Sequence, residues 1–142
     1  MVLRLSLCMF FLMSCLIGCG QGNPQGRLPI EGTVRLNDTP IASGSISFNS
    51  VPEASVKISS GAVIKAGKYS IERDQGLAPG DYIVRLYASE DTGKLDPVTK
   101  YPLFKELFPP KYNTASQEKI TVSKDQKVFD FNIVVTDADS RR

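Results

Sequence analysis

Asp81-Tyr82-Ile83-Val84-Arg85-Leu86-Tyr87-Ala88 is the longest regular stretch in the chain. In an extended backbone, Tyr82, Val84, Leu86 and Ala88 share one side, alternating with Ile83, Arg85 and Tyr87. A repeat of two rather than 3.6 marks a strand with one buried face. Ala78-Pro79-Gly80 just before it supplies the turn that starts it.

The same period recurs on both sides of this stretch. Ile30, Val34 and Leu36 alternate with Glu31, Thr33 and Arg35, and Ser45-Ile46-Ser47-Phe48-Asn49 repeats the pattern after the turn residues Asn37-Asp38-Thr39-Pro40. Ala62-Val63-Ile64 and Tyr69-Ser70-Ile71-Glu72 flank Lys65-Ala66-Gly67-Lys68, a hairpin signal in which Gly67 offers a positive φ. Val56-Lys57-Ile58 reads as a short strand or an irregular edge. Lys119-Ile120-Thr121-Val122 and Val128–Val135 bracket Ser123-Lys124-Asp125-Gln126-Lys127, which predicts another hairpin, with Phe129, Phe131, Ile133 and Val135 as an inward stripe. Six or seven short strands, eight at most, with turns every 8 to 12 residues, predict an all-β Greek-key β-sandwich over residues 28–136. Residues 137–142 read as a frayed tail.

Composition narrows the chemistry. The chain has 142 residues, enough for one domain with extensions, and its 17 basic and 15 acidic residues nearly cancel. The lysines are scattered, so no nucleic-acid footprint appears. Histidine is absent, which removes the commonest metal ligand and the usual proton shuttle near neutral pH. Cys8, Cys15 and Cys19 all lie at the N-terminus, so neither a disulfide framework nor a thiolate metal site is expected in the domain. Neither Ser-His nor Cys-His nucleophile pairs can be assembled. Glu31, Asp81, Glu90, Asp91 and Asp96 are the carboxylates available for acid–base work, but no spacing marks two of them as a pair. Solvated strand faces and loops explain them, and Asp137 and Asp139 in the tail make no convincing metal site. No catalytic residue, cofactor or metal is therefore expected.

The N-terminus reads as an address. Arg4 is followed by an uncharged run from Leu5 to Ile17, the length of a signal-peptide core and short for a membrane span. Leu16-Ile17-Gly18-Cys19 resembles a bacterial lipobox. That resemblance implies cleavage of residues 1–18 between Gly18 and Cys19, with acyl chains attached at Cys19. Leu12-Met13-Ser14-Cys15 is a weaker match, because the apolar run continues past it. An uncleaved anchor and an ordinary secretory signal are the alternatives. Residues 19–27, polar and glycine-rich, read as a flexible tether with a reach of roughly 16 Å. Two or three acyl chains would hold such a chain on a membrane effectively permanently.

In order and spacing, the domain resembles carboxypeptidase regulatory-like domains of small planctomycete-type lipoproteins. The residues are Ile30–Val34 with Ile41–Phe48 as a first hairpin, Ala66–Ile71, Leu77–Val84 with its Pro-Gly turn, Pro110-Lys111-Tyr112-Asn113, and Ile120–Val122 with Phe129–Phe131. The resemblance implies a transthyretin-like (prealbumin-like) sandwich. It departs at Asn37-Asp38-Thr39-Pro40, where such domains carry an Asp-Gly turn. Enzymes of related fold, the intradiol dioxygenases and hydroxyisourate hydrolases, rely on histidines that this chain lacks.

Tyr101–Tyr112 concentrates aromatic residues in a long connection. Pro102 is expected to open a helical turn that Pro109 and Pro110 stop, with Leu103, Phe104, Leu107 and Phe108 on one side. This segment either caps an open end of the sandwich or exposes Tyr101, Phe104, Phe108 and Tyr112 as a partner-binding surface. The expectation is a non-catalytic, lipid-anchored envelope module. Its partners would be the membrane through the lipid and an envelope protein or polysaccharide, on an outer-membrane periplasmic face or the cell surface in preference to the inner membrane.

Overall fold

The computed structural model describes residues 26–136. The expected signal peptide, Cys19, most of the tether and the tail lie outside them. The described chain is all-β, with strands β1 (Ile30–Leu36), β2 (Thr39–Pro40), β3 (Ser43–Ser50), β4 (Ser59–Lys65), β5 (Lys68–Ile71), β6 (Gly80–Tyr87), β7 (Ser89–Leu95), β8 (Pro102–Glu106), β9 (Lys119–Val122) and β10 (Phe131–Ile133). Short 3-10 turns occur at Arg73–Gln75 and Pro110–Tyr112. Eight strands form one sheet in the order β10-β1-β5-β4-β3-β6-β9, with β2 paired to β1, and β7-β8 form a second, small sheet. All pairs are antiparallel except β1 with β10. The segment at Val56–Ile58 is irregular, and only Ile58 reaches the core.

The period-two pattern decides which side is buried. In β6, Tyr82, Val84 and Leu86 point inward, and across the ladder Phe48 meets Val84 and Ile46 meets Leu86. Ile64, Tyr69, Ile71, Ile30, Val34, Val122, Phe131 and Ile133 join them in one buried cluster. Two tight turns set the local register. Lys65 pairs with Lys68 across Ala66 and Gly67, both at positive φ, and Leu36 pairs with Thr39 across Asn37 and Asp38, again both at positive φ. These are the backbone signs of the primed turns whose twist matches that of paired strands. Asn and Asp tolerate this conformation better than most residues, which suits Asn37-Asp38 to the turn.

Two expected neighbourhoods are corrected. β1 lies beside β5 rather than β3, so the Ile30–Val34 and Ile41–Phe48 strands are not a hairpin. β9 and β10 are not a hairpin either. Ser123 and Gln126 do exchange backbone hydrogen bonds in a turn, but β9 goes to β6 and β10 to β1, at opposite ends of the sheet order. Alternation tells which face of a strand is buried, not which strand is its neighbour.

That split forces the sheet to curl. Five inter-strand steps separate β9 from β1, about 24 Å if the sheet were flat. The chain covers the gap between Val122 and Val128, where it bridges to Glu31, in six residues that include a turn. Six fully extended residues would reach only about 21 Å. The closure is fixed at Gly32. A Cβ there would lie 1.8 Å from the Phe129 carbonyl oxygen and 2.9 Å from the Tyr69 hydroxyl. The Tyr69 hydroxyl donates to that carbonyl at 2.8 Å, and one Asp130 carboxylate oxygen accepts from both the Thr33 amide and the Thr33 hydroxyl at 2.8 Å. Arg27, expected in the tether, is tied to the domain through the Gly76 carbonyl, and Leu28 bridges Leu77.

Burial, and secondarily the nearby Asp130 carboxylate, push the Tyr69 phenol well above the usual tyrosine range. The unfolded chain therefore loses this proton at lower pH than the folded one. Stability present below about pH 10 falls as pH rises beyond it. Burial also raises Tyr82, partly offset by Arg27. Tyr69→Phe should cost about 1–2 kcal/mol at neutral pH and make the alkaline decline shallower. Urea unfolding between pH 8 and 11 measures both. Gly32→Ala must displace the Phe129 backbone and should cost about 2–3 kcal/mol, read as a lower urea midpoint.

Candidate functional site

The segment expected to carry function divides into an arm and a plug. After Tyr87 the chain leaves the sheet as β7, turns over residues 96–101, and returns as β8. Every residue of both strands is exposed. No helix forms over 102–108, which corrects the expected helical turn. Ser89 pairs with Glu106, Glu90 with Lys105, Asp91 with Phe104 and Leu95 with Pro102. This pairing holds Pro102–Glu106 extended. Pro102 occupies the first position of a strand that has a free edge, where its missing N–H is tolerated.

Local polar chemistry shapes the arm. At the tip, one Asp96 carboxylate oxygen accepts from the Val98 amide at 2.9 Å, the Thr99 amide at 2.7 Å and the Thr99 hydroxyl at 3.0 Å. These hydrogen bonds, led by those from Thr99, lower the Asp96 pKa and keep it ionised. The Asp96 amide donates to the Tyr101 carbonyl and the Lys100 amide to the Asp96 carbonyl, both at 2.9 Å. Midway, the register shifts between Asp91 and Leu95 around Gly93, which has positive φ. The Asp91 side chain accepts the Gly93 amide, and the Thr92 hydroxyl donates to the Leu103 carbonyl. At the base, one Glu106 carboxylate oxygen accepts the Ala88 amide at 3.0 Å, and the Leu107 amide donates to the Ala88 carbonyl at 2.7 Å.

The four aromatic residues therefore have three roles. Tyr101 and Phe104 stand on the arm at 73% and 63% exposure, together with exposed Leu95, Val98 and Leu103. Phe108 is 2% exposed and belongs to the core, so it is not part of any binding surface. Its carbonyl accepts the Asn113 side-chain amide at 3.1 Å. Tyr112 is half-buried against the core, with the Lys111 ammonium 5.2 Å from its ring centre. Phe108 and Tyr112 thus pack in or against the core, and the arm is left outside it.

Beside the arm base lies a cavity of about 450 Å³. Leu36, Pro40, Ile41 and Leu107 give it apolar walls, and Glu90 and Asp91 stand at its edge. Glu31 lines a separate groove on the outer sheet face with Lys65, Lys68 and Asp130. The Asp81 carboxylate accepts the Thr121 hydroxyl across the β6–β9 pair. The five carboxylates singled out by sequence are therefore dispersed, apart from the chain neighbours Glu90 and Asp91. Among the described residues, no group of three acidic, histidine or cysteine side chains is placed to hold a metal ion. The β7 strand was not legible beforehand, because Ser89–Leu95 has no apolar alternation. The signal that existed was Asp96-Pro97, a turn pair midway between two extended segments.

No protein-family model, curated protein or solved structure matches this chain. Truncating the two phenylalanines separates their roles. Phe108→Ala should destabilise the fold by about 3–5 kcal/mol, whereas Phe104→Ala should stay within about 0.5 kcal/mol of wild type, both by urea unfolding.

Proposed function

We propose that this chain is a non-catalytic, lipid-anchored module of the bacterial cell envelope, with the β7–β8 arm as its binding element. The carrying observation is the arm itself. A lone two-stranded ribbon is marginally stable in water, yet this one leaves Leu95, Val98, Tyr101 and Phe104 exposed outside a well-packed core. Large apolar side chains left exposed together on one projecting ribbon suit an interaction surface. The arm offers contact area and open strand edges, which suit association.

The anchor half of the proposal rests on Leu16-Ile17-Gly18-Cys19 behind an uncharged run, with acylation at Cys19 after cleavage behind Gly18. The finer fold reading is a Greek-key, prealbumin-like sandwich of the carboxypeptidase regulatory-like class. Its supports are the Pro79-Gly80 entry to β6 and the order of segments from Ile30 to Phe131. A polysaccharide surface of four stacked rings is disfavoured because Phe108 is buried and Tyr112 is half-buried against the core, which leaves two rings on the arm.

Cys19→Ser should abolish labelling by radioactive palmitate and leave residues 1–18 uncleaved, read as a heavier chain by mass spectrometry. A wild-type chain that takes up no palmitate, or a Cys19→Ser variant still cleaved behind Gly18, would remove the lipobox assignment.

A further inference from the structure

We propose that the groove on the outer face of β1, β5 and β4 binds a short zwitterionic peptide, one whose amine and carboxylate are both free. This goes beyond the reading of the arm, which takes no part in the groove. The groove holds about 510 Å³, within the range of small-molecule sites. Four charged residues line it. Glu31 on β1 and Asp130 just before β10 stand on one side, and Lys68 on β5 and Lys65 on β4 stand on the other. Among the described residues, no ion pair joins any of the four. The two signs are therefore held apart across one cavity rather than cancelled inside it. Arg35, two residues beyond Thr33, and Lys127, whose carbonyl accepts the Glu31 amide, lie outside the lining.

Strand register produces this arrangement. Lys65 and Lys68 are directly opposite each other across the Ala66-Gly67 turn, and both are exposed. Like charges facing each other in this way are destabilising, and a carboxylate placed between them relieves the repulsion. On the far side, one Asp130 oxygen is taken by the Thr33 amide and hydroxyl, which leaves Glu31 as the carboxylate open to an amine. β1 and β4 are two strand spacings apart, about 10 Å, because β5 lies between them. Three extended residues cover the same span. Ser70 on β5, paired with Glu31, offers a hydroxyl midway to a peptide carbonyl. Each side also has an apolar neighbour for a small side chain. Val63, two residues from Lys65, is 62% exposed, and Val128, which bridges to Glu31, is 48% exposed. A ligand of single charge meets one side and leaves the other unmatched, whereas a dipolar one meets both.

The test uses the full chain, nitrogen-15-labelled, in mild detergent, with trialanine as the probe. Amide NMR shifts at Glu31–Thr33 and Lys65–Ser70 should saturate with a Kd of about a few millimolar or tighter. Acetylating the amine or amidating the carboxylate of trialanine should each weaken binding about fivefold. Lys65→Met with Lys68→Met should weaken free trialanine by a similar factor and leave the amidated peptide unchanged. Glu31→Gln should likewise weaken free trialanine and leave the acetylated peptide unchanged. All three positions are exposed, and unchanged urea midpoints verify that the variants fold. A wild-type chain whose amides do not move at about 20 mM trialanine overturns the site. Equal binding of the free and blocked peptides overturns it too. Acetate that shifts the same amides with the same Kd as trialanine reduces the groove to an anion site and overturns the peptide assignment. None of these readouts involves β7 or β8, so the reading of the arm stands or falls separately.

Discussion

The carbonyl oxygen of Phe129 sits over a residue with no side chain. That contact lets a sheet whose two ends are occupied by consecutive strands close on itself. The chain leaves β9, turns at Ser123–Gln126, and reaches β1 within six residues. It can pass across β1 only because Gly32 has no Cβ to meet the incoming carbonyl. Tyr69 from the neighbouring strand pins that carbonyl from the core side, and Asp130 pins the next residue to Thr33 from outside. Everything inward of the sheet depends on this crossing. Ile30, Val34, Phe131 and Ile133 share a core with Val84 and Val122 because the two ends are drawn together.

The arm obeys different physics from the body. The body is held by apolar burial, and its polar groups follow the strands. Burial in the arm is slight, and the arm is held by local hydrogen bonds: the Asp96 loop at the tip, the Asp91–Gly93 and Thr92–Leu103 contacts midway, and Glu106 at the base. Such contacts define shape but contribute little net stability each, because water competes for the same groups. The register shift and Gly93 blunt the β7 edge, while β8 presents an uninterrupted edge and the exposed Phe104. A partner would therefore find one side of the ribbon easier to meet than the other.

Phe108 shows how the body and arm are separated. It follows Leu107, whose amide closes the last ladder bond to Ala88, and it turns into the core. Four residues earlier, Phe104 likewise follows a leucine, yet it remains in solvent. The sequence between them, Lys105-Glu106-Leu107, holds a single cue to this boundary. That cue is Glu106, whose carboxylate caps the Ala88 amide where the arm leaves the sheet.

Sequence alone was sufficient for the all-β class, the inward faces of β3, β6 and the Phe129–Val135 segment, and the Ala66-Gly67 turn, because side-chain alternation and turn chemistry are local properties. It also carried the lipobox resemblance at Cys19, which lies outside the described residues. Only the tertiary structure decided that β1 sits beside β5, that β9 and β10 part to opposite ends, and that Tyr101 and Phe104 stand outside while Phe108 and Tyr112 pack on the core. Those outcomes depend on which strands meet, and a pairing is chosen by long-range closure that leaves no periodic trace in either partner. Gly32 illustrates the limit. In the sequence it is one glycine in a strand, and its purpose exists only once Phe129, nearly a hundred residues later, crosses above it.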